Sequence, residues 1–213
     1  MATIKRYLFD PSLTGTTKIT ALLENDRPIV RLAETWFHPQ GGGQKADRGY
    51  INDIPVLHVA HANDEIDHVV ASTEGLAIGV TVRVVVDADW RQLNSAYHTV
   101  GHLIAHLGEA LYPSMKAISG HHWPGEARVE FTGELPAPEE IKGRLQEALK
   151  EAIASDLAVQ AGGDPLTERA VAIDEFPPMP CGGTHIAHLG LAPDATITQV
   201  RSKKGRLRIS YAL

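Results

Sequence analysis

With one cysteine, Cys181, the chain cannot form an internal disulfide, so core packing, hydrogen bonds or a bound ion must hold its fold. Aromatic residues are scarce at 6%, which leaves Val, Ile, Leu and Ala to build most of the interior. No apolar run approaches the ~20 residues that span a bilayer. The segment Met1 to Asp10 mixes Lys5 and Arg6 with Asp10 and reads as neither a signal peptide nor an anchor, so the expected setting is the reducing cytoplasm without a membrane. Excess positive charge is also missing: 20 Lys and Arg against 26 Asp and Glu give −6, the opposite of a chain that neutralises many phosphates. The exception is local, in Arg201, Lys203, Lys204, Arg206 and Arg208, which could equally be a solvated hairpin. There is no internal repeat, low-complexity tract or long linker.

What is present is an ordinary globular balance, 43% hydrophobic and 22% charged over 213 residues, enough for one large domain or two small ones. From Lys5 to Asp87 short β-type runs such as Ile29 to Leu32, Val56 to Ala60 and Val80 to Asp87 alternate with turns, a β-rich region. Three consecutive glycines, Gly41 to Gly43, interrupt it as a loop or tight bend. Near Asp89 the period changes. Leu93 to Leu111 predicts a helix that stops at Tyr112-Pro113, and Glu139 to about Asp156 a second one behind a proline-rich opening. A strand is expected at Arg128 to Phe131. After a turn at Gly162-Gly163-Asp164-Pro165 come Arg169 to Ile173, then a hairpin of Ile197 to Arg201 and Arg206 to Tyr211 around Lys204-Gly205. The expected boundary divides a β domain, 1–88, from a second domain, 89–213.

Two short pieces of sequence carry metal-ligand chemistry. His98 and His102 lie four apart on the first helix, which stacks both imidazoles on one face within reach of a single ion. Cys181 and His185 repeat that spacing in Cys181-Gly182-Gly183-Thr184-His185, where glycines let backbone wrap tightly. Each half alone is weak. Together they form a His, His, Cys, His set that uses the chain's sole thiol, with zinc the ion its ligand types suit. Thr99 stands where a zinc-protease helix of the H-E-x-x-H type needs its glutamate, so that chemistry is excluded. The triple glycine lacks the Lys-Ser/Thr ending of a P-loop and the spacing of a dinucleotide fingerprint.

These motifs resemble the stand-alone alanyl-tRNA editing proteins, often called AlaX, and the editing domain of alanyl-tRNA synthetase, over almost the whole chain. The resemblance is carried by Trp36-Phe37-His38-Pro39-Gln40-Gly41-Gly42-Gly43-Gln44 with Asp47 and Gly49, by His98-Thr99-Val100-Gly101-His102, by Cys181-Gly182-Gly183-Thr184-His185 and by Ser202 to Ile209. It departs from the synthetase pattern in three places. Ser95-Ala96 replaces Met-Arg, Ala117 to His122 replaces a loop carrying Gln and Gly-Ser, and Leu189 to Pro193 lacks an acidic residue.

The resemblance implies an α+β fold: a small β-barrel-like domain, then an editing domain with an antiparallel sheet packed on helices. It implies that His98, His102, Cys181 and His185 hold one zinc ion and that the partner is tRNA(Ala) carrying a wrong amino acid. The implied reaction is hydrolysis of the ester of Ser-tRNA(Ala), and secondarily Gly-tRNA(Ala). A zinc-stabilised RNA-binding module, or a deacylase for another aminoacyl-tRNA, are the alternatives. Thr99 and Gln44 are the polar candidates for orienting water or substrate. Gly41, Gly42 and Gly43 are expected against the editing pocket, and Ser119 and His122 beside the substrate, where a histidine could stack a terminal base.

Overall fold

A computed structural model describes residues 2–24, 26–164 and 167–213. The chain is mixed α+β and divides into two compact units, Met1–Gly41 with Lys45–Gln92 and Gly42–Gln44 with Leu93–Leu213. The expected turn after Gly162 is described as far as Asp164; its Pro165 lies outside the described residues.

The first unit contains β1 (Ile4–Lys5), β2 (Thr14–Glu24), β3 (Pro28–Leu32), β4 (Glu34–Thr35), β5 (Gly49–Ile51), β6 (Ile54–Ala62), β7 (Glu65–Val70) and β8 (Thr81–Val86). Strands β2, β3, β7, β6, β5 and β8 pair antiparallel in that order and close on themselves as a barrel, while β1 and β4 pair in parallel outside it. Period-two patterning drives the closure: Val82, Val84 and Val86 point inward while Thr81 and Arg83 face solvent. Ile19, Val30, Leu32, Phe37, Ile51, Val59 and Ile66 complete this core.

One polar side chain sits inside it. His68 on β7 is fully buried, donates from Nδ1 to the Val30 carbonyl at 3.0 Å and accepts at Nε2 from Thr35 Oγ1 at 2.8 Å. Burial lowers its pKa to about 4, so the ring stays neutral. Asp47, also buried, accepts from Arg91 Nε at 3.0 Å through both carboxylate oxygens and from the His38 amide at 2.6 Å.

Helix α1 (Ala88–Leu111) starts one turn earlier than its apolar period predicts, because the Asp87 carboxylate accepts the Trp90 amide at 3.0 Å and caps it. The second unit holds the rest of α1, then β9 (Met115–His121), β10 (Arg128–Gly133), α2 (Pro138–Ala154), β11 (Val159–Gly162), β12 (Ala170–Ile173), β13 (Met179–Pro180), β14 (Thr196–Lys203) and β15 (Arg206–Ala212). Four strands form one antiparallel sheet in the order β14, β15, β10, β9, and three form a second, β11, β12, β13. Lys204 and Gly205, at φ of 52° and 72°, make the two-residue turn joining β14 to β15. Helix α2 opens with Pro138 and the acidic Glu139 and Glu140 and buries Ile141, Leu145 and Leu149 at four-residue intervals. These meet Val100, Leu103, Ile104 and Leu107 of α1 and Leu207, Ile209 and Tyr211 of β15 in a second core.

Candidate metal centre

The candidate ligands converge within the second unit. One donor atom from each of His98, His102, Cys181 and His185 lies within 4.8 Å of the other three, a group that could hold a metal ion. His98 Nε2 is 3.3 Å from His102 Nε2 and 3.5 Å from Cys181 Sγ, which in turn is 3.3 Å from His185 Nε2. The rigid α1 supplies two rings on one face. The other two donors come from an irregular segment after β13, fixed by the Cys181 amide to the Arg169 carbonyl at 3.1 Å and by Arg169 Nη1 to the Cys181 carbonyl at 2.6 Å. Gly183 is needed there because a Cβ would lie 2.2 Å from His98 Cε1.

Hydrogen bonds on the far side of the rings decide where the protons are. Gln44 Oε1 accepts the Thr184 amide at 2.9 Å, which fixes it as the oxygen; His98 Nδ1, 2.7 Å away, must then carry the proton. Thr99 Oγ1 spends its proton on the Ser95 carbonyl at 2.9 Å, so it accepts from His185 Nδ1 at 3.1 Å and from the Ile186 amide at 3.3 Å. Both histidines therefore turn an Nε2 lone pair toward Cys181. Lone pairs and a thiol facing one another this closely repel unless a cation or a proton lies among them, and three imidazoles with one sulfur suit a tetrahedral divalent ion. Burial lowers the His102 pKa to about 4, which keeps it a neutral donor, and raises that of the Cys181 thiol, which a cation would reverse.

Thr99 and Gln44, expected to orient water or substrate, hold histidine rings instead. Both side chains are 0% exposed and their oxygens are engaged by the ligands' Nδ1 atoms. A pocket of about 280 Å³ opens beside His102, walled by Gly101, Ala105, Ala117, Ile118, Val129, Met179 and Pro180 with Ser119, Gly120 and His122. Ser119 and His122, expected beside the substrate, line this pocket. Gly41 and Gly42 are not among the lining residues. Gly43 backs the wall, its carbonyl accepting the His122 amide at 2.8 Å.

No family model matches the chain. It is 33% identical over 181 residues to the alanyl-tRNA editing protein AlaX-M of Pyrococcus horikoshii, covering 78% of this chain and 77% of that protein. The chain belongs to the alanyl-tRNA editing protein family. Another member, AlaX-L of the same organism, is 30% identical over 186 residues, covering 76% of this chain and 45% of its own length. Alanine–tRNA ligase of Carboxydothermus hydrogenoformans is 28% identical over 221 residues, 84% of this chain, so the chain spans 24% of that ligase's length.

Around the site of this alanyl-tRNA editing family member stand residues that the sequence did not single out. Thr184 accepts from Gln44 Nε2 at 2.7 Å and lies 2.8 Å from Ser95 Oγ, tying the segment with Cys181 to α1. Its place inside Cys-Gly-Gly-Thr-His was the available signal. Tyr211, on β15, donates to the Tyr97 carbonyl at 2.8 Å and sits 2.7 Å from His122 Nδ1. A tyrosine at a buried position of an alternating strand gives no sign of such a role.

Proposed function

We propose that the protein is a trans-acting editing hydrolase that cleaves the aminoacyl ester of Ser-tRNA(Ala), and secondarily Gly-tRNA(Ala), in the cytoplasm. In this reading a β domain, 1–88, precedes an editing domain, 89–213, with one zinc ion on His98, His102, Cys181 and His185. The observation that carries it is the shared residue His102, which belongs both to the four-donor cluster and to the wall of the adjoining pocket. The pocket, of about 280 Å³, has room for an amino acid beside the donor cluster. Such a second site answers a real need, because a synthetase site built for alanine cannot strongly reject an amino acid with one added hydroxyl or one missing methyl.

Bound zinc would polarise the ester carbonyl, acidify a water or anchor the amino group. The chain's own residues do the rest. Gln44 and Thr99 hold the His98 and His185 rings in the ligating tautomer, and the apolar wall of Ala105, Ala117 and Val129 limits the side chain admitted. Four protein donors usually mark a structural site, so a zinc held by His98, His102, Cys181 and His185 that also acts on substrate would need a position those four residues do not fill.

A basic concavity supports the RNA partner. Arg201, Lys203, Lys204, Arg206 and Arg208 surround Glu130 in a space of about 660 Å³, and Glu130 bonds both Arg208, at 2.7 Å, and the pocket residue Ser119, at 3.4 Å. Phosphates of an acceptor strand placed there would bring its 3′ end toward the pocket.

The test is deacylation of Ser-, Gly- and Ala-tRNA(Ala) by the purified protein, with and without a chelator, and by a folded Cys181→Ala variant. Hydrolysis of the seryl ester that is lost on chelation and in the variant is expected. RNA binding without turnover would assign a zinc-stabilised binding module instead, and turnover of a different ester would reassign the substrate.

A further inference from the structure

His122 is held in an unusual seat. Its ring stacks on His98 with centroids 4.8 Å apart and planes at 22°, and it fills space that a Cβ on Gly101 or on Gly120 would occupy, 2.1 Å from Nδ1 and 2.3 Å from Nε2 respectively. The Tyr211 hydroxyl has one proton and gives it to the Tyr97 carbonyl at 2.8 Å. It can therefore only accept from His122 Nδ1, 2.7 Å away, which fixes the proton on Nδ1 and leaves a lone pair on Nε2. Among the described residues Nε2 has no hydrogen-bond partner, and His122 and Gly120 both line the pocket.

The pocket's other polar side chains are committed. His102 belongs to the donor cluster, and Ser119 Oγ donates to Glu130 at 3.4 Å. We infer that His122 Nε2 is the acceptor that reads a side-chain hydroxyl on the bound aminoacyl ester, with Tyr211 as the positioning residue that fixes its tautomer. This rests on the proposed editing reaction and adds its specificity. Ester, ribose and α-amine are common to every charged tRNA, and the cation side of the pocket draws groups that offer lone pairs. The hydroxyl is the donor that serine has and alanine lacks. An alanyl ester would bury Nε2 unpaired, which disfavours the correctly charged tRNA(Ala) that an editing protein must spare.

The experiment compares kcat/KM for Ser-tRNA(Ala) and Ala-tRNA(Ala) in wild type, His122→Phe and Tyr211→Phe, with metal content measured alongside. His122→Phe should lower the Ser:Ala ratio by at least about tenfold, the value of one hydrogen bond. Tyr211→Phe, which keeps the imidazole but frees its tautomer, should lower the ratio less, and both should retain metal. An unchanged ratio in Tyr211→Phe, or an equal loss on both substrates, would overturn the inference even if His122→Phe failed to fold. Nitrogen-15 spectra of histidine-labelled protein should place the His122 proton on Nδ1, and a proton on Nε2 would also overturn it. If wild type hydrolyses none of the esters, the editing reaction itself fails; if it hydrolyses the seryl ester and the variants keep their ratio, this inference alone fails.

Discussion

At the scale of single residues, the donor cluster is governed by groups outside it. Gln44 accepts from His98 Nδ1 and Thr99 from His185 Nδ1, so both rings present Nε2 to the cluster without searching for a tautomer. Replacing Gln44 by Met keeps the volume but removes the acceptor, and zinc affinity measured by chelator competition should fall about 10- to 100-fold. Gln44→Glu keeps an acceptor for His98 and should stay near wild type; equal loss in both variants would contradict the positioning role. The sequence made the four donors legible because their spacing and the lone cysteine are local facts. It could not separate a residue that touches substrate from one that orients a ligand, since Gln44 and His98 are 54 positions apart and their meeting depends on tertiary folding.

At the scale of elements, α1 does most of the work. Its apolar period buries Val100, Leu103, Ile104 and Leu107, which turns the opposite flank, with His98 and His102, toward the segment after β13. The helices and the β14–β15 hairpin were readable because each has a strong period and a clear stop signal. Strand β9 was not. Met115–His121 buries its first residue and leaves the rest half-buried or exposed without a period-two alternation, so the segment carrying Ser119 reads as loop and becomes strand only by pairing with β10. The hairpin's charge has its own consequence. Arg208 and Arg206 lie near Glu130, at 2.7 and 3.5 Å, whereas no salt bridge of Lys203 or Lys204 occurs among the described residues. A Lys203→Ala, Lys204→Ala variant should bind uncharged tRNA(Ala) more weakly, and its log Kd against log salt should flatten by about 0.7 for each phosphate that is no longer neutralised. An unchanged slope would remove the hairpin from the RNA surface.

At the scale of the molecule, the chain matches AlaX-M over most of both lengths but spans about a quarter of the alanine–tRNA ligases it resembles. The change of period near residue 89 suggested a boundary, but a linear reading could not place Gly42–Gln44 in the second compact unit, because those residues interrupt the first unit's sequence and join the helix only in space. Stability should depend on pH through the barrel. His68 has a pKa of about 4 when folded and about 6.5 when unfolded, so between those values the unfolded state binds more protons. Its contribution is complete above about pH 6.5 and is lost as pH falls toward 4, a change of about 3 kcal/mol. Denaturant unfolding across that range should show a smaller slope with pH in His68→Gln than in wild type; equal slopes would mean that this ring does not titrate differently on folding.

Titration of the metal-free protein with Co²⁺ probes the convergence of donors on which the rest depends. The expected result is one equivalent bound per chain with tetrahedral absorption bands and a thiolate charge-transfer band that disappears in Cys181→Ser. Failure to bind one equivalent, or the same charge-transfer band in the variant, would contradict the assignment of a three-histidine, one-cysteine centre.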